Sequence, residues 1–71
     1  MTKYQIMLRP EPEGGYTVLV PALPGCITWG RNLKHARKMA AEAIAGYLEC
    51  LKDLNEPVPD PDELLLTTVT V

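Results

Sequence analysis

Few side chains in this sequence have both the chemistry and the spacing of a catalytic site. The single histidine, His35, would need a nucleophile or a carboxylate beside it to act as a general base. It belongs to a predicted helix, and the carboxylates on the same side, Glu42 and Asp53, lie too far along to orient its ring. We therefore expect no catalytic histidine.

Metal-dependent chemistry also lacks the residues that it requires. A metal-dependent nuclease needs several carboxylates that converge on magnesium ions, but Glu11 and Glu13 lie in a predicted loop. Cys26 and Cys50 lack partners at zinc-binding spacing, and we interpret both as buried, small apolar residues. The sequence predicts a protein that is not an enzyme, with no metal site and no cofactor.

Three short segments alternate apolar and polar residues, as half-buried β-strands do. They are residues 3–9, 16–20 and 26–29. Residues 10–15, rich in proline and glycine, separate the first two strands and predict a hairpin with a longer loop. Residues 21–25 contain two prolines and a glycine, which indicates a rigid, packed corner before the third strand.

The longest periodic segment, residues 33–54, predicts an amphipathic helix that lies on the sheet. At about 100° per residue, its apolar positions form one stripe. They are Leu33, Ala36, Ala40, Ala43, Ile44, Tyr47, Leu48, Leu51 and Leu54. Asn32 is a suitable N-cap, and the prolines that follow the segment are expected to end the helix.

Residues 64–71 are apolar and β-branched, and they predict a fourth strand. The fold class is then α+β, with two layers: an antiparallel sheet in the order β-β-β-α-β and one long amphipathic helix on one face. A long apolar strand is a hazard as a bare edge. We expect it to pair within the monomer or across a homodimer, where it would bury Leu65, Val69 and Val71.

The length of 71 residues predicts a single small domain over residues 1–71. The net charge is −2, with an excess of two positive charges in residues 1–50 and of four negative charges in residues 51–71. No apolar stretch approaches the roughly 20 residues that span a bilayer, and nothing resembles a signal peptide. We expect a cytoplasmic protein without a membrane partner.

The segment from Gly14 to Cys26 resembles the HicB antitoxin family. The family pattern extends through Gly30, Ala36 and the following Glu-Ala-Ile, and the proline-rich segment at 56–61 is also similar. The residues that carry the resemblance are Gly15, Tyr16, Pro21, Leu23, Pro24, Gly25, Cys26, Gly30, Ala36 and Ala43. Most of the chain, about residues 3–62, is covered.

This resemblance implies a reduced ribonuclease-H-like fold and a role as antitoxin to HicA, a small basic ribonuclease. Many family members carry a C-terminal DNA-binding module, and we expect none here because the sequence ends at Val71. DNA binding by the chain alone is therefore not expected. The strands lack the carboxylates of a ribonuclease H, so the resemblance in fold implies no such activity.

Charged and aromatic residues at the end of the third strand, at the helix start and after the helix are candidate contacts with a partner. The helix start is basic where the family is acidic, and the segment after the helix is acidic. The candidates are Trp29, Arg31, Lys34, Arg37, Lys38, Asp60, Asp62 and Glu63. Each has a structural alternative: the tryptophan can cover the end of a small core, and the charges can be a solvated helix end and a solvated linker.

Two functional hypotheses follow from the sequence. The first is an antitoxin that masks the active face of a small basic ribonuclease of the HicA type. The second is a stand-alone oligomeric HicB-like domain that binds another ligand, and the reversed charge from Arg31 to Lys38 favours it. A neighbouring gene for a small basic protein would favour the first.

Overall fold

Three antiparallel strands form where the sequence alternates, as seen in a computed structural model that describes residues 2–71. They are β1 (Met7–Pro10), β2 (Tyr16–Leu19) and β3 (Ile27–Gly30), and they make one sheet in the order β1-β2-β3. Both neighbouring pairs are antiparallel. This confirms the predicted α+β class and the antiparallel hairpin arrangement.

The two chain reversals between the strands depend on glycine and on local backbone hydrogen bonds. In the first, Gly14 and Gly15 adopt φ angles of 106° and 79°, which side chains strongly disfavour. In the second, the Leu23 amide donates to the Val20 carbonyl and the Cys26 amide donates to the Leu23 carbonyl, each at 3.0 Å. Leu23 is fully buried, so this corner is packed into the core.

The helix α1 (Leu33–Asp53) has defined caps at both ends. The Asn32 side chain accepts a hydrogen bond from the His35 amide at 2.8 Å, as predicted for the N-cap. At the other end Asn55 adopts a left-handed φ of 57°, and the Glu56 amide donates to the Leu51 carbonyl at 2.8 Å. This is a Schellman arrangement. The helix therefore ends at Asp53, with Leu54 as its C-cap, before the prolines that were expected to end it.

The core lies between α1 and one face of the sheet, and it forms two adjoining clusters. Val18 packs against Ala36 and Ala40 near the start of the helix. Val20, Leu23 and Cys26 form the second cluster. The partly buried residues around that second cluster are Tyr4, Ile6, Ala43, Ile44, Tyr47 and Leu48. Because the helix contributes alanines at its closest approach, it lies near the sheet backbone.

The other face of the sheet, here called the outer face, has no covering layer among the described residues. The register aligns Met7, Leu19 and Ile27 in one row across the three strands. A second row contains Arg9, Thr17 and Trp29. Half or more of the Met7 and Ile27 side chains is exposed. The single chain therefore leaves an apolar sheet surface open.

The prediction of a fourth strand is wrong for the described chain: residues 64–71 form no strand there. A 3₁₀ turn (Pro61–Glu63) precedes them, and the segment then continues without a strand partner, with Leu65 85% exposed and Val69 77% exposed. A segment rich in β-branched residues forms a strand only when a neighbouring segment pairs with its backbone N–H and C=O groups. The element order observed in one chain is therefore β-β-β-α.

Two smaller expectations also differ from the structure. The first strand begins at Met7 rather than at residue 3, since β2 ends at Leu19 and the chain then turns away at the corner. Cys50, expected to be buried, is exposed, whereas Cys26 is buried. Among residues 2–71, no helix has the length and apolar character needed to cross a bilayer.

Candidate interaction surfaces

Trp29 belongs to the exposed outer face and also to the packing at the end of β3. Its indole lies against Gly15, where an added Cβ would come within 2.6 Å of the ring. The His35 ring lies nearly perpendicular to it, at a centroid distance of 6.4 Å and an interplanar angle of 79°. It is nevertheless 47% exposed. Trp29 thus covers the strand end on one side and offers an aromatic surface on the other.

His35 contributes to the start of the helix. Its backbone amide donates to the Asn32 side chain, and its Nδ1 accepts a hydrogen bond from the Arg31 amide at 3.0 Å. In the His35 ring, Nδ1 is used by the hydrogen bond from Arg31, and the ring also packs against the Trp29 ring. The histidine therefore joins the loop, the helix and the strand end.

The predicted basic residues lie together at the first turns of the helix. All four are exposed, and three of them surround an open surface depression with Leu33. The four are Arg31, Lys34, Arg37 and Lys38. The first helical turn has no acidic residue, so the cluster adds positive charge to the positive end of the helix dipole. This end of the molecule presents a positive surface.

The predicted acidic residues follow the helix at the opposite end. Asp60 accepts a hydrogen bond from the Asp62 amide at 2.9 Å and so caps the 3₁₀ turn. Asp60, Asp62 and Glu63 are all exposed. The helix has 21 residues and is about 30 Å long at 1.5 Å per residue; the basic cluster lies at its start, and the acidic residues follow its end. The structure therefore places the basic and acidic candidates in separate patches.

A polar cluster on the outer face of the sheet was not predicted from the sequence. The Glu11 carboxylate accepts hydrogen bonds from the Thr17 hydroxyl and from Arg9 Nε, the latter at 3.3 Å. The Thr17 hydrogen bond lowers the pKa of Glu11, burial partly opposes this, and Arg9 lowers it further. Thr17 stands opposite Arg9 in the register. Only that pairing, which depends on the loop length, could have indicated the cluster.

An apolar groove runs between residues 2–6 and the helix, and we call it the N-terminal groove. Its volume is about 410 Å³. Thr2, Tyr4, Ile6, Arg37, Ala40, Ala41, Ile44, Ala45 and Leu48 line it. The small alanine side chains of the helix leave the space of the groove open, and the larger side chains of Tyr4 and Ile6 form the opposite wall. The sequence predicted an apolar stripe here but not that part of it would stay uncovered.

The residues that carried the family resemblance lie mainly in the corner and in the helix–sheet contact. Leu23 and Cys26 are buried in the second core cluster, and burial raises the pKa of the Cys26 thiol. The Tyr47 hydroxyl donates to the Pro24 carbonyl at 2.8 Å and ties the corner to the helix. Gly30 is buried against Ala36. These positions hold the fold together rather than forming a reactive site.

The described residues contain no group of three or more histidine, cysteine or acidic side chains placed to hold a metal ion. What the surface does offer is the outer face, the N-terminal groove, an uncovered apolar C-terminal segment and two patches of opposite charge. The fold and these surfaces define a small α+β domain, one sheet and one helix, whose apolar surface a single chain covers incompletely.

Comparison with known proteins identifies the family. The sequence model described as HicB_like antitoxin of bacterial toxin-antitoxin system matches residues 4–69. The chain belongs to the HicB-like antitoxin family.

Individual relatives agree with this assignment. A UPF0150 protein of Thermoplasma acidophilum is 46% identical over 57 residues, which cover 80% of this chain and 83% of the relative. A UPF0150 protein of Synechocystis is 37% identical over 59 residues, which cover 83% of this chain and 75% of the relative. Antitoxin HicB of Escherichia coli K12 is 32% identical over 62 residues, which cover 87% of this chain but 45% of that protein.

Proposed function

We propose that this chain is an antitoxin that binds a small basic ribonuclease of the HicA type and masks its active face. The observation that carries the proposal is the family match over residues 4–69, together with similarity to proteins named antitoxin HicB. The open apolar outer face supports it, because an exposed contiguous apolar patch is typical of a protein–protein interface.

In this proposal inhibition is steric and electrostatic. The outer face supplies an aromatic anchor, Trp29, flanked by Ile27 on the same strand and face. Interface anchors of this type contribute about 2 kcal/mol or more to binding when they are desolvated. The acidic patch of Asp60, Asp62 and Glu63 attracts a basic partner and raises the association rate. No chemical step by the antitoxin is needed.

The test uses the small basic protein encoded beside this gene, if the neighbourhood contains one. Wild-type chain is expected to restore growth when that protein is expressed and to stop its RNA cleavage in vitro. Trp29→Ala should weaken binding by about tenfold to a hundredfold, since 1.4 kcal/mol corresponds to a factor of ten. Binding is measured by calorimetry.

A matched control distinguishes the outer face from the rest of the surface. Glu42→Ala changes an exposed helix residue on the other layer, and it should leave toxin binding unchanged. Equal loss of binding in both variants would contradict the outer face as the contact. A wild-type chain that neither binds nor inhibits the neighbouring basic protein would contradict the antitoxin role itself.

The finer features of the proposal concern the whole chain. We propose a cytoplasmic, non-enzymatic single domain over residues 1–71, with a reduced ribonuclease-H-like fold and without its catalysis. We also propose that it forms a homodimer and that, alone, it does not bind duplex DNA. The net charge of −2 supports the last point, because binding to duplex DNA depends on neutralising phosphates.

One observation favours a second candidate function, an oligomeric HicB-like domain without a toxin partner. The basic cluster from Arg31 to Lys38 is exposed and would repel a basic toxin placed against it. In this alternative the cluster faces an acidic ligand. A gene neighbourhood without a small basic protein, combined with retained self-association, would favour this candidate over the antitoxin.

A further inference from the structure

The segment formed by residues 64–71, here called the C-terminal segment, has the properties of a strand without a neighbour. None of the backbone hydrogen bonds found between residues 2 and 71 involves it. In an extended chain, alternate side chains share one face. Leu65, Val69 and Val71 would therefore lie on the same face, and all three are exposed.

The N-terminal groove has the complementary property: it is an apolar surface beside a free strand edge. The sheet order leaves the far side of β1 unpaired in the described chain. The helix wall of the groove carries small side chains, Ala41 and Ala45, and the strand wall carries Tyr4 and Ile6. A strand added beside β1 would place alternate side chains over these alanines and complete the two-layer packing.

The chain's own C-terminal segment reaches the neighbourhood of this groove without entering it. Pro61, Asp62 and Leu64 lie beside residues 3–5, and together they line a surface depression. Beyond Leu64 the side chains are exposed. Eight residues in strand conformation extend about 26 Å. The segment is thus long enough to run along the whole edge of β1 in an adjacent molecule.

We propose that two copies of this chain exchange their C-terminal segments, each adding a strand to the β1 edge of the other. Leu65, Val69 and Val71 of one copy fill the N-terminal groove of its partner. The second copy is the occupant because the same chain carries both complementary surfaces, and a two-fold arrangement uses each of them twice. The exchange also pairs the free backbone N–H and C=O groups at the β1 edge, which would otherwise be exposed to unspecific strand pairing and aggregation.

This inference is independent of the toxin, so it is tested on the purified 71-residue chain alone. Ala45→Arg fills the groove and leaves the segment intact, whereas Val69→Lys alters the segment and leaves the groove intact. Each variant alone is expected to lose dimer affinity by more than about tenfold while keeping its helical circular dichroism. Sedimentation velocity measures the association.

Mixing the two variants gives the decisive result. In the mixture, the intact segment of Ala45→Arg meets the intact groove of Val69→Lys, so one contact is restored and a heterodimer forms. The matched controls are Gly46→Arg, one position beyond Ala45 where an added Cβ meets nothing within 4 Å, and Thr68→Lys, on the opposite face of the segment. Both controls should remain dimers.

A second measurement does not depend on the stability of those variants. In a Cys50→Ser background, Ala45→Cys combined with Val69→Cys should form a disulfide between copies and give a dimer band on a non-reducing gel. A disulfide within one chain would show that the segment pairs with its own groove. That result, a monomeric wild-type chain, or a mixture that stays monomeric would each overturn the exchange.

Discussion

At the scale of single residues, small side chains determine how closely the helix approaches the sheet. Gly30 ends β3 directly beneath Ala36, and a Cβ built at Gly30 would overlap the Ala36 backbone and lie 2.7 Å from its Cβ. Ala36 and Ala40 continue this close contact along the helix. These residues therefore affect the packing of the helix on the sheet through the small volume of their side chains, not through their chemical groups.

Replacing Gly30 by alanine is expected to destabilise the fold by about 1–3 kcal/mol, because the added methyl group must displace helix backbone. Gly46→Ala is the matched control: an added Cβ there contacts nothing within 4 Å, and alanine is the better helix former. That control should stabilise by about 0.5–1 kcal/mol. Urea unfolding at one fixed protein concentration measures both, and equal effects of the two changes would contradict the close contact.

The Glu11 carboxylate makes stability depend on pH. Its pKa is lowered below the usual 4.5, chiefly by the Thr17 hydrogen bond; burial, the next largest effect, opposes this, and Arg9 lowers the pKa further. A group with a lowered pKa in the folded state stabilises the protein above its unfolded pKa. This contribution is therefore present above about pH 4.5 and is lost as the pH falls through the lower, folded value.

Thr17→Val removes the largest cause of the shift and should raise the pKa of Glu11 towards its ordinary value. An NMR titration of the Glu11 side-chain carboxyl carbon measures this directly. The variant should also lose less stability than wild type between pH 5 and pH 3. Thr67→Val, a change of the same kind in the C-terminal segment, is the control, and an unchanged titration of Glu11 in Thr17→Val would contradict the assignment.

At the scale of secondary-structure elements, the ends of the helix are fixed by asparagines. The Asn32 side chain accepts a hydrogen bond from the His35 amide at the helix start. Asn55 adopts the left-handed conformation of the Schellman arrangement after Leu54. Asparagine tolerates this conformation better than residues with larger or branched side chains do. The prolines downstream limit any extension of the helix but lie beyond the observed end.

Changes at Asn55 should follow the backbone preference of each residue. Asn55→Gly is expected to keep or slightly raise the unfolding free energy, whereas Asn55→Ala should lower it by about 1 kcal/mol. Thermal unfolding followed by circular dichroism measures both, with about 4–8 °C per kcal/mol expected for a domain of this size. Greater stability of the alanine variant than of the glycine variant would show that the left-handed position does not control the helix end.

At the scale of the whole molecule, the buried core is small. Among residues 2–71, the buried apolar residues are Val18, Val20, Leu23, Cys26, Ala36 and Ala40. A core of this size supplies only about 3–5 kcal/mol in small domains. Large apolar side chains meanwhile remain exposed on the outer face and in the C-terminal segment. The two proposals use different surfaces, a second copy on the C-terminal segment and a toxin on the outer face, so the proposed self-association and inhibition do not compete.

Local patterns in the sequence were sufficient to predict most of the fold. Alternation located the strands to within a few residues, the apolar stripe located the helix, and Asn32 marked its start. The resemblance identified the family from the segment between Gly14 and Cys26, and the comparison confirmed it. These features depend on neighbours in sequence, on turn chemistry and on helical or strand periodicity, which a single sequence displays directly.

Other features were decided only by the tertiary structure. The strand pairing that brings Thr17 opposite Arg9 created the Glu11 cluster, and the turn at Pro21 shortened the strand predicted from residue 3. The apolar, β-branched composition of residues 64–71 also predicted a strand but could not show that this segment lacks a neighbour within one chain. Strand pairing joins residues distant in sequence, so its outcome depends on which edges the folded molecule leaves free.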